Sequence, residues 1–202
     1  MAKKTLKTSI ETIRRRDLVE AAYQTFLEHG LSGMTMVRIG KRAGMSHGIV
    51  NYYFKSKDAL LSAVVRKANF LIMEDTARRL RLADTPRTRI SAIILANFTE
   101  ELFTRDIARA WVSYYSAIGQ NPDFERLQHV VDRRLMSNLM HELGQLTTPD
   151  RARKTATNVA LLLEGLWLRR ARSSSEITPE AATSLLEAYV EHSIACVDEA
   201  GS

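Results

Sequence analysis

From Ile13 onward the chain places its apolar residues three to four positions apart, the period of helices that each bury one stripe. Ile13, Leu18, Val19, Ala22, Phe26 and Leu27 make the first set, and Gly30 is its stop. Residues 1–10 carry no such set and read as a mobile arm. Between Thr35 and Lys57 the pattern breaks into two short pieces. Thr35 can cap a helix whose apolar positions are Val37, Ile39 and Ala43, and Gly44 ends it, because glycine enters the left-handed region at little cost. Ser46 caps a second piece of about two turns, with Met45, Ile49 and Val50 toward a core. Helix one is expected to brace both by packing Ala22, Phe26 and Leu27 on Val37, Ile39 and Phe54. Ser56 then opens a helix that runs without a breaker to Leu82, about 40 Å at the helical rise. Thr85-Pro86 opens the next, with Ile90, Ile93, Ile94, Ala96, Phe98 and Leu102. Ala110, Trp111, Tyr114, Tyr115 and Ile118 mark another, and Phe124 to Leu143 one that closes at Gly144. Thr148-Pro149 opens a helix that reaches Arg172 and a polar turn at Ser173–Ser175. Thr178-Pro179 opens the last, with Leu185, Leu186, Tyr189, Val190, Ile194 and Val197. The pattern predicts nine helices and no strand, an all-α fold.

Composition agrees with this and adds a partner. Nine glycines and four prolines in 202 residues leave little material for sheet turns, and 45% hydrophobic content is ample for a buried core. The single cysteine, Cys196, excludes an internal disulfide, suits a reducing cytoplasm and reads as a small buried apolar residue. Residues 1–17 lack the apolar core of a signal peptide, and Glu164 interrupts the longest apolar run, Val159–Leu168. The expectation is a soluble cytoplasmic protein with no membrane span. Charge is uneven: residues 1–57 hold eleven Lys or Arg against four Asp or Glu, a net of +7, while residues 58–202 come to −1. Such a basic end draws a polyanion by counterion release. Lys3, Lys4 and Lys7 are either a solvated tail or an arm on phosphates or a minor groove.

The second short piece says which polyanion. A helix of two turns is unstable alone and has to be clamped by neighbours. Its outward positions, His47, Gly48, Asn51 and Tyr52, are small, polar or aromatic, and Tyr52, Tyr53, Lys55 and Lys57 can offer hydroxyls and ammonium groups to phosphates. This is the layout of a helix-turn-helix, whose second helix enters the major groove of double-stranded DNA. His47, Asn51 and Tyr52 are the candidates for base edges, Ser46, Tyr53 and Lys57 for the DNA backbone, and Thr35 and Gly48 complete the DNA-binding set.

Thr35, Ile39-Gly40, Ala43-Gly44-Met45-Ser46, Tyr52-Tyr53-Phe54, Lys57 and Leu60-Leu61 stand in the order and spacing of one known signature. The sequence here resembles the TetR family of bacterial transcriptional regulators. Gly40 replaces the usual alanine, which keeps a helix crossing close at a propensity cost of about 1 kcal/mol. Asn51 replaces a common tyrosine, exchanging a phosphate contact for a base-edge contact. The resemblance implies a three-helix head over residues 1–57 and a six-helix effector-binding and dimerisation bundle over residues 58–202. It also implies a two-fold homodimer built from the last two helices, with Gly165 and Ala182 allowing close approach and two reading helices about one DNA turn apart.

Within the body, Trp111, Tyr114, Tyr115 and Ile118 share one helix face, and Glu164 and Trp167 share another. An aromatic stripe at this spacing alone reads as plain core. A carboxylate in a greasy run is costly to bury without a cation or donor, and aromatic faces beside a carboxylate hold a quaternary ammonium through cation–π attraction and charge pairing. Trp111, Tyr114, Tyr115, Glu164 and Trp167 are therefore the candidate ligand-binding residues. Ala110-Trp111, Arg126-Leu127-Gln128, Arg133 to Leu139, Gly165 to Arg169 and Arg14-Arg15-Arg16 resemble the choline-responsive repressors of glycine-betaine synthesis within the same family. That narrower resemblance implies choline or a related cation as effector. The helix from Ser56 to Leu82, long enough to belong to head and body together, is the expected lever that transmits the shift to the DNA-binding head.

An enzyme is the competing class, and the residues argue against it. The five histidines, at 29, 47, 129, 141 and 192, form no Glu-x-x-His or His-Glu-x-x-His pair, and no nucleophile elbow or phosphate loop is present. No catalytic residue, metal site or cofactor is expected. A non-specific DNA-coating protein is the other alternative, and phosphate contacts without sequence preference would mark it.

Overall fold

Short polar side chains and prolines decide where each helix begins. The structure, a computed structural model, describes residues 2–172 and 177–195, with side chains from residue 10 onward. The side chains of Lys3, Lys4 and Lys7, the turn at Ser173–Ser175, and Cys196 and Val197 lie outside the described residues. Nine helices follow one another among the described residues: α1 (Ala2–Gly33), α2 (Met36–Ala43), α3 (His47–Tyr53), α4 (Lys57–Leu80), α5 (Pro86–Leu95), α6 (Arg105–Ile118), α7 (Pro122–Leu143), α8 (Pro149–Arg172) and α9 (Pro179–Ala195). The hydroxyls of Thr35, Ser46, Ser56, Thr85 and Thr104 each accept a backbone N–H at the start of their helix. The four prolines all sit at the first position of a helix, where their missing N–H costs nothing. Gly44 closes α2 at φ 64°, as its position predicts.

Four expectations need correction. α1 begins at Ala2 rather than Ile13, so the stretch read as an arm is helical, and Ile13 is exposed; Gly30 does break the helix, at φ 62° and ψ −168°. Val37 is 67% exposed, because positions 37 and 39 lie on different sides of a helix; the inward set is Met36, Ile39, Gly40 and Ala43, at i, i+3, i+4 and i+7. α5 stops at Leu95, and Phe98 and Phe103 reach the core from the turns that follow, edge-to-face with one another at 4.9 Å. Ala182 is buried inside its own chain, whereas Gly165 is exposed.

The core is continuous from head to body. Leu18, Phe26 and Ile39 belong to the same buried cluster as Leu60, Leu61, Val64 and Val65 of α4 and as Tyr114, Leu139, Val159 and Leu186. α1 packs more extensively on α6 than on α2 or α4. Phe26 of α1 meets Trp111 of α6 edge-on at 6.3 Å. The Leu31 N–H, next to the break at Gly30, donates to Ser113 Oγ at 3.1 Å. Asn121, at the start of α7, donates to Asp58 at the start of α4 (3.0 Å). At its other end α4 is held by Arg89, which donates to the Leu80 carbonyl (3.1 Å) and to the buried carboxylate of Glu142 (2.7 Å).

Candidate DNA interface and effector cavity

α3 is seven residues long and stands only because its inner side is clamped. Val50 is fully buried, Met45 and Tyr53 pack against the core, and the chain crosses tightly below it: a Cβ on Gly40 would lie 2.7 Å from the Met45 carbonyl oxygen and 3.1 Å from Val50 Cγ2. The outer side is free. His47, Gly48, Asn51 and Tyr52 are exposed, and the Asn51 amide lies 3.4 Å from a His47 ring nitrogen. A Cβ on Gly48 would meet little but Ser46 Oγ at 3.9 Å, so packing within the protein does not require glycine there. Tyr52 stacks edge-on to Tyr53 at 5.1 Å and donates to Glu11 of α1 at 3.4 Å. Thr35 and Ser46 are exposed caps, and Lys57 is half-buried at the first turn of α4. Of the three consecutive arginines, Arg15 lies over the Phe54 ring at 4.7 Å. Of the DNA-binding candidates, Thr35, Ser46, His47, Gly48, Asn51 and Tyr52 are thus exposed, and Tyr53 and Lys57 are partly buried.

In the body, α4, α6, α7 and α8 enclose a cavity of about 550 Å³. Trp111, Tyr115, Glu164 and Trp167 line it together, which the sequence had placed on two separate helix faces. Tyr114 is not among the lining residues. It is fully buried and its hydroxyl donates to the Phe124 carbonyl (3.3 Å), behind Trp111 and Tyr115. Sequence reasoning missed the other half of the wall: Ile72, Met73 and Thr76 of α4, and Gln128, Asp132 and Arg134 of α7. Asp132 is the chemically important omission. Its only signal is a carboxylate one turn after Gln128, whose amide donates to it at 2.8 Å, and nothing local says that this face meets Glu164.

Two carboxylates and one guanidinium therefore look into an aromatic-walled space. Glu164 is exposed at the edge of the cavity rather than buried in its apolar run; the partial loss of water there, and then the charge of Asp132, hold its carboxyl above the ordinary value. The Tyr115 hydroxyl is raised well above a free phenol by burial first, then by Glu164, Asp132 and Tyr114. Tyr114 is pushed up to about 12, by burial and then by Asp132. Both shifts at Tyr115 and Glu164 have one physical meaning: negative charge is already disfavoured here, and a cation would relieve it. No arginine forms an ion pair with Glu164 or Asp132 among the described residues: Arg170 donates to the Phe103 carbonyl (3.1 Å) and lies over its ring (5.7 Å), and Arg134, which lines the cavity, donates to Met73 Sδ (2.9 Å). Among the described residues no helix is long and apolar enough to cross a membrane, and no His, Cys, Asp and Glu cluster is arranged to hold a metal.

Two family models match the chain, one toward each end. Residues 18–64 match the family described as bacterial regulatory proteins, tetR family, and residues 86–195 match the BetI-type transcriptional repressor, C-terminal. The chain is 38% identical over 186 residues to the HTH-type transcriptional regulator BetI of Burkholderia thailandensis, covering 92% of this chain and 95% of that one. It is 36% identical over 190 residues to BetI 1 of Chromohalobacter salexigens, covering 94% of each. A solved Saccharomonospora viridis protein in complex with choline has the same fold, with a TM-score of 0.77 at 19% identity over 90% of this chain and 97% of that one.

Proposed function

Because this chain belongs to the TetR family of bacterial regulatory proteins, and within it to the BetI-type transcriptional repressors, we propose that it works as a cytoplasmic homodimer on a palindromic operator. It lets go when choline or a related quaternary ammonium compound enters the body. The cavity carries this reading: Trp111, Tyr115 and Trp167 provide aromatic surface, and Asp132 and Glu164 provide the countercharge. A volume of about 550 Å³ falls in the range of small-molecule sites. The choline held by the structurally similar Saccharomonospora viridis protein supports the same chemistry.

On the DNA side, His47, Asn51 and Tyr52 read base edges, with Gly48 leaving room for the groove, while Thr35, Ser46, Tyr53 and Lys57 position the backbone. A dimer sets two such helices into successive turns of an inverted repeat. Effector and DNA then weaken each other by one common factor, as linkage demands. Isothermal titration of choline into the free protein and into its operator complex tests this. Choline is expected to bind the free protein several-fold more tightly, and equal affinity in the two titrations removes the switch. Absence of any heat with choline removes the effector assignment.

A further inference from the structure

Tyr115, Gln128, Leu161 and Glu164 line the cavity and also line a second depression of about 600 Å³ beside α6 and α8, which Gly165 and Leu168 continue. These four residues form the boundary that the two spaces share. Leu161 is 61% exposed and Leu168 44%, and a Cβ on Gly165 would meet nothing within 4 Å. An apolar strip thus lies open in water at the mouth of the effector site, and α9 beside it exposes Leu185 as well. Such a surface calls for a cover.

Charge says what the cover is. α8 exposes four basic residues, Arg153, Lys154, Arg169 and Arg172, against two acidic ones, Asp150 and Glu164, while α9 exposes Glu180 and Glu191, the latter paired with Arg87 of its own chain at 3.1 Å. α8 thus carries a basic excess and α9 an acidic one. A second copy turned about a two-fold axis lays α8 of one chain along α9 of the other and meets both. The geometry points to an effector site that is incomplete in one chain: the same leucine strip of a second copy closes the mouth beside Tyr115 and Glu164. The consequence is that effector binding tightens the dimer. Closure also excludes water, which strengthens the pairing of a cation with Asp132 and Glu164. This rests on the homodimer and the cationic effector proposed above, and adds where the site opens.

Leu168 lines the outer depression and not the cavity, so L168E separates the copies without altering the effector's walls. The reporter is a thiol at the mouth, supplied by L161C with the native thiol removed by C196S, and treated with a charged thiol reagent. In a C196S/L161C protein that sediments as a dimer, labelling is expected to run about tenfold slower than in the L168E triple variant, with retained helix checked by circular dichroism. Where L168E costs the fold, dilution below the dimer constant supplies the single chain for the same comparison. Equal rates in dimer and single chain overturn closure and leave the dimer itself standing. A protein that remains a single subunit at micromolar concentration ends both. In the wild-type chain, saturating choline is expected to tighten the dimer constant by about tenfold. A constant unmoved by choline that calorimetry shows to be bound also overturns closure, while choline that gives no heat ends the choline assignment and leaves the labelling rate to judge the mouth.

Discussion

At the scale of single residues, Gly40 and Glu164 carry the most information. The missing side chain at Gly40 lets the Met45 carbonyl approach to 2.7 Å of where a Cβ would be, and the Met45 N–H bonds back to the Gly40 carbonyl at 2.8 Å. Backbone held this way cannot yield as the end of a side chain does. Gly40→Ala is therefore expected to cost about 1–3 kcal/mol in urea unfolding despite alanine's better helix propensity. Glu164 makes a pH prediction. Its carboxyl is held above 4.5 by the partial loss of water and by Asp132, and a cation pairs with the ionised form. Choline affinity is expected to fall as pH descends through that raised value, visible in a titration series from neutral into acid pH, and E164Q is expected to flatten the profile. A profile unchanged by E164Q would deny Glu164 its role. The stability of the empty protein runs the other way: the native state holds this proton more tightly than the unfolded chain, so Glu164 costs stability as pH rises through the same window.

At the scale of elements, the sequence assigned the transmission of a ligand signal to the helix from Ser56 to Leu82. α4 does join the two sites, starting in the head and lining the cavity with Ile72, Met73 and Thr76. α6 joins them more directly. Trp111 is at once cavity wall and neighbour of Phe26, and Ser113 accepts the Leu31 N–H beside the break in α1. Ser113 does not line the cavity, so S113A is expected to leave choline affinity for the free protein unchanged. It should cost about 1–2 kcal/mol of stability, because the Leu31 N–H loses its acceptor. It should also shrink the difference between choline titrations with and without operator. A full-sized difference in S113A would return the task to α4 alone. Element boundaries were largely legible, since Thr35, Ser46, Ser56, Thr85, Gly44 and the four prolines act through their own backbone. The early end of α5 was not, because Ile94, Phe98 and Leu102 keep the apolar spacing of a helix although Phe98 reaches the core from a turn.

At the scale of the whole molecule, the net of +7 on residues 1–57 belongs to a head whose core runs on into the body. DNA affinity is expected to fall steeply with salt. Lys57→Ala should weaken operator and random DNA alike and reduce the slope of log affinity against log salt by about one, whereas Asn51→Ala should relax preference at one operator position. Fluorescence anisotropy across a salt series measures both. Equal changes for the two variants on all duplexes would contradict the division between backbone and base contacts.

What the sequence determined by itself was the set of nine helices among the described residues, the helix-turn-helix and the basic head, because caps, glycine stops, apolar period and charge are properties of neighbours along the chain. Tertiary structure decided which positions on those helices face one another. Periodicity gives a helix a face and not a partner, so it could not send Tyr114 into the core, turn Val37 outward, or bring Asp132 of α7 to the space shared with Glu164 of α8. Those outcomes follow from how separate helices pack, where each side chain takes the environment its neighbours leave to it.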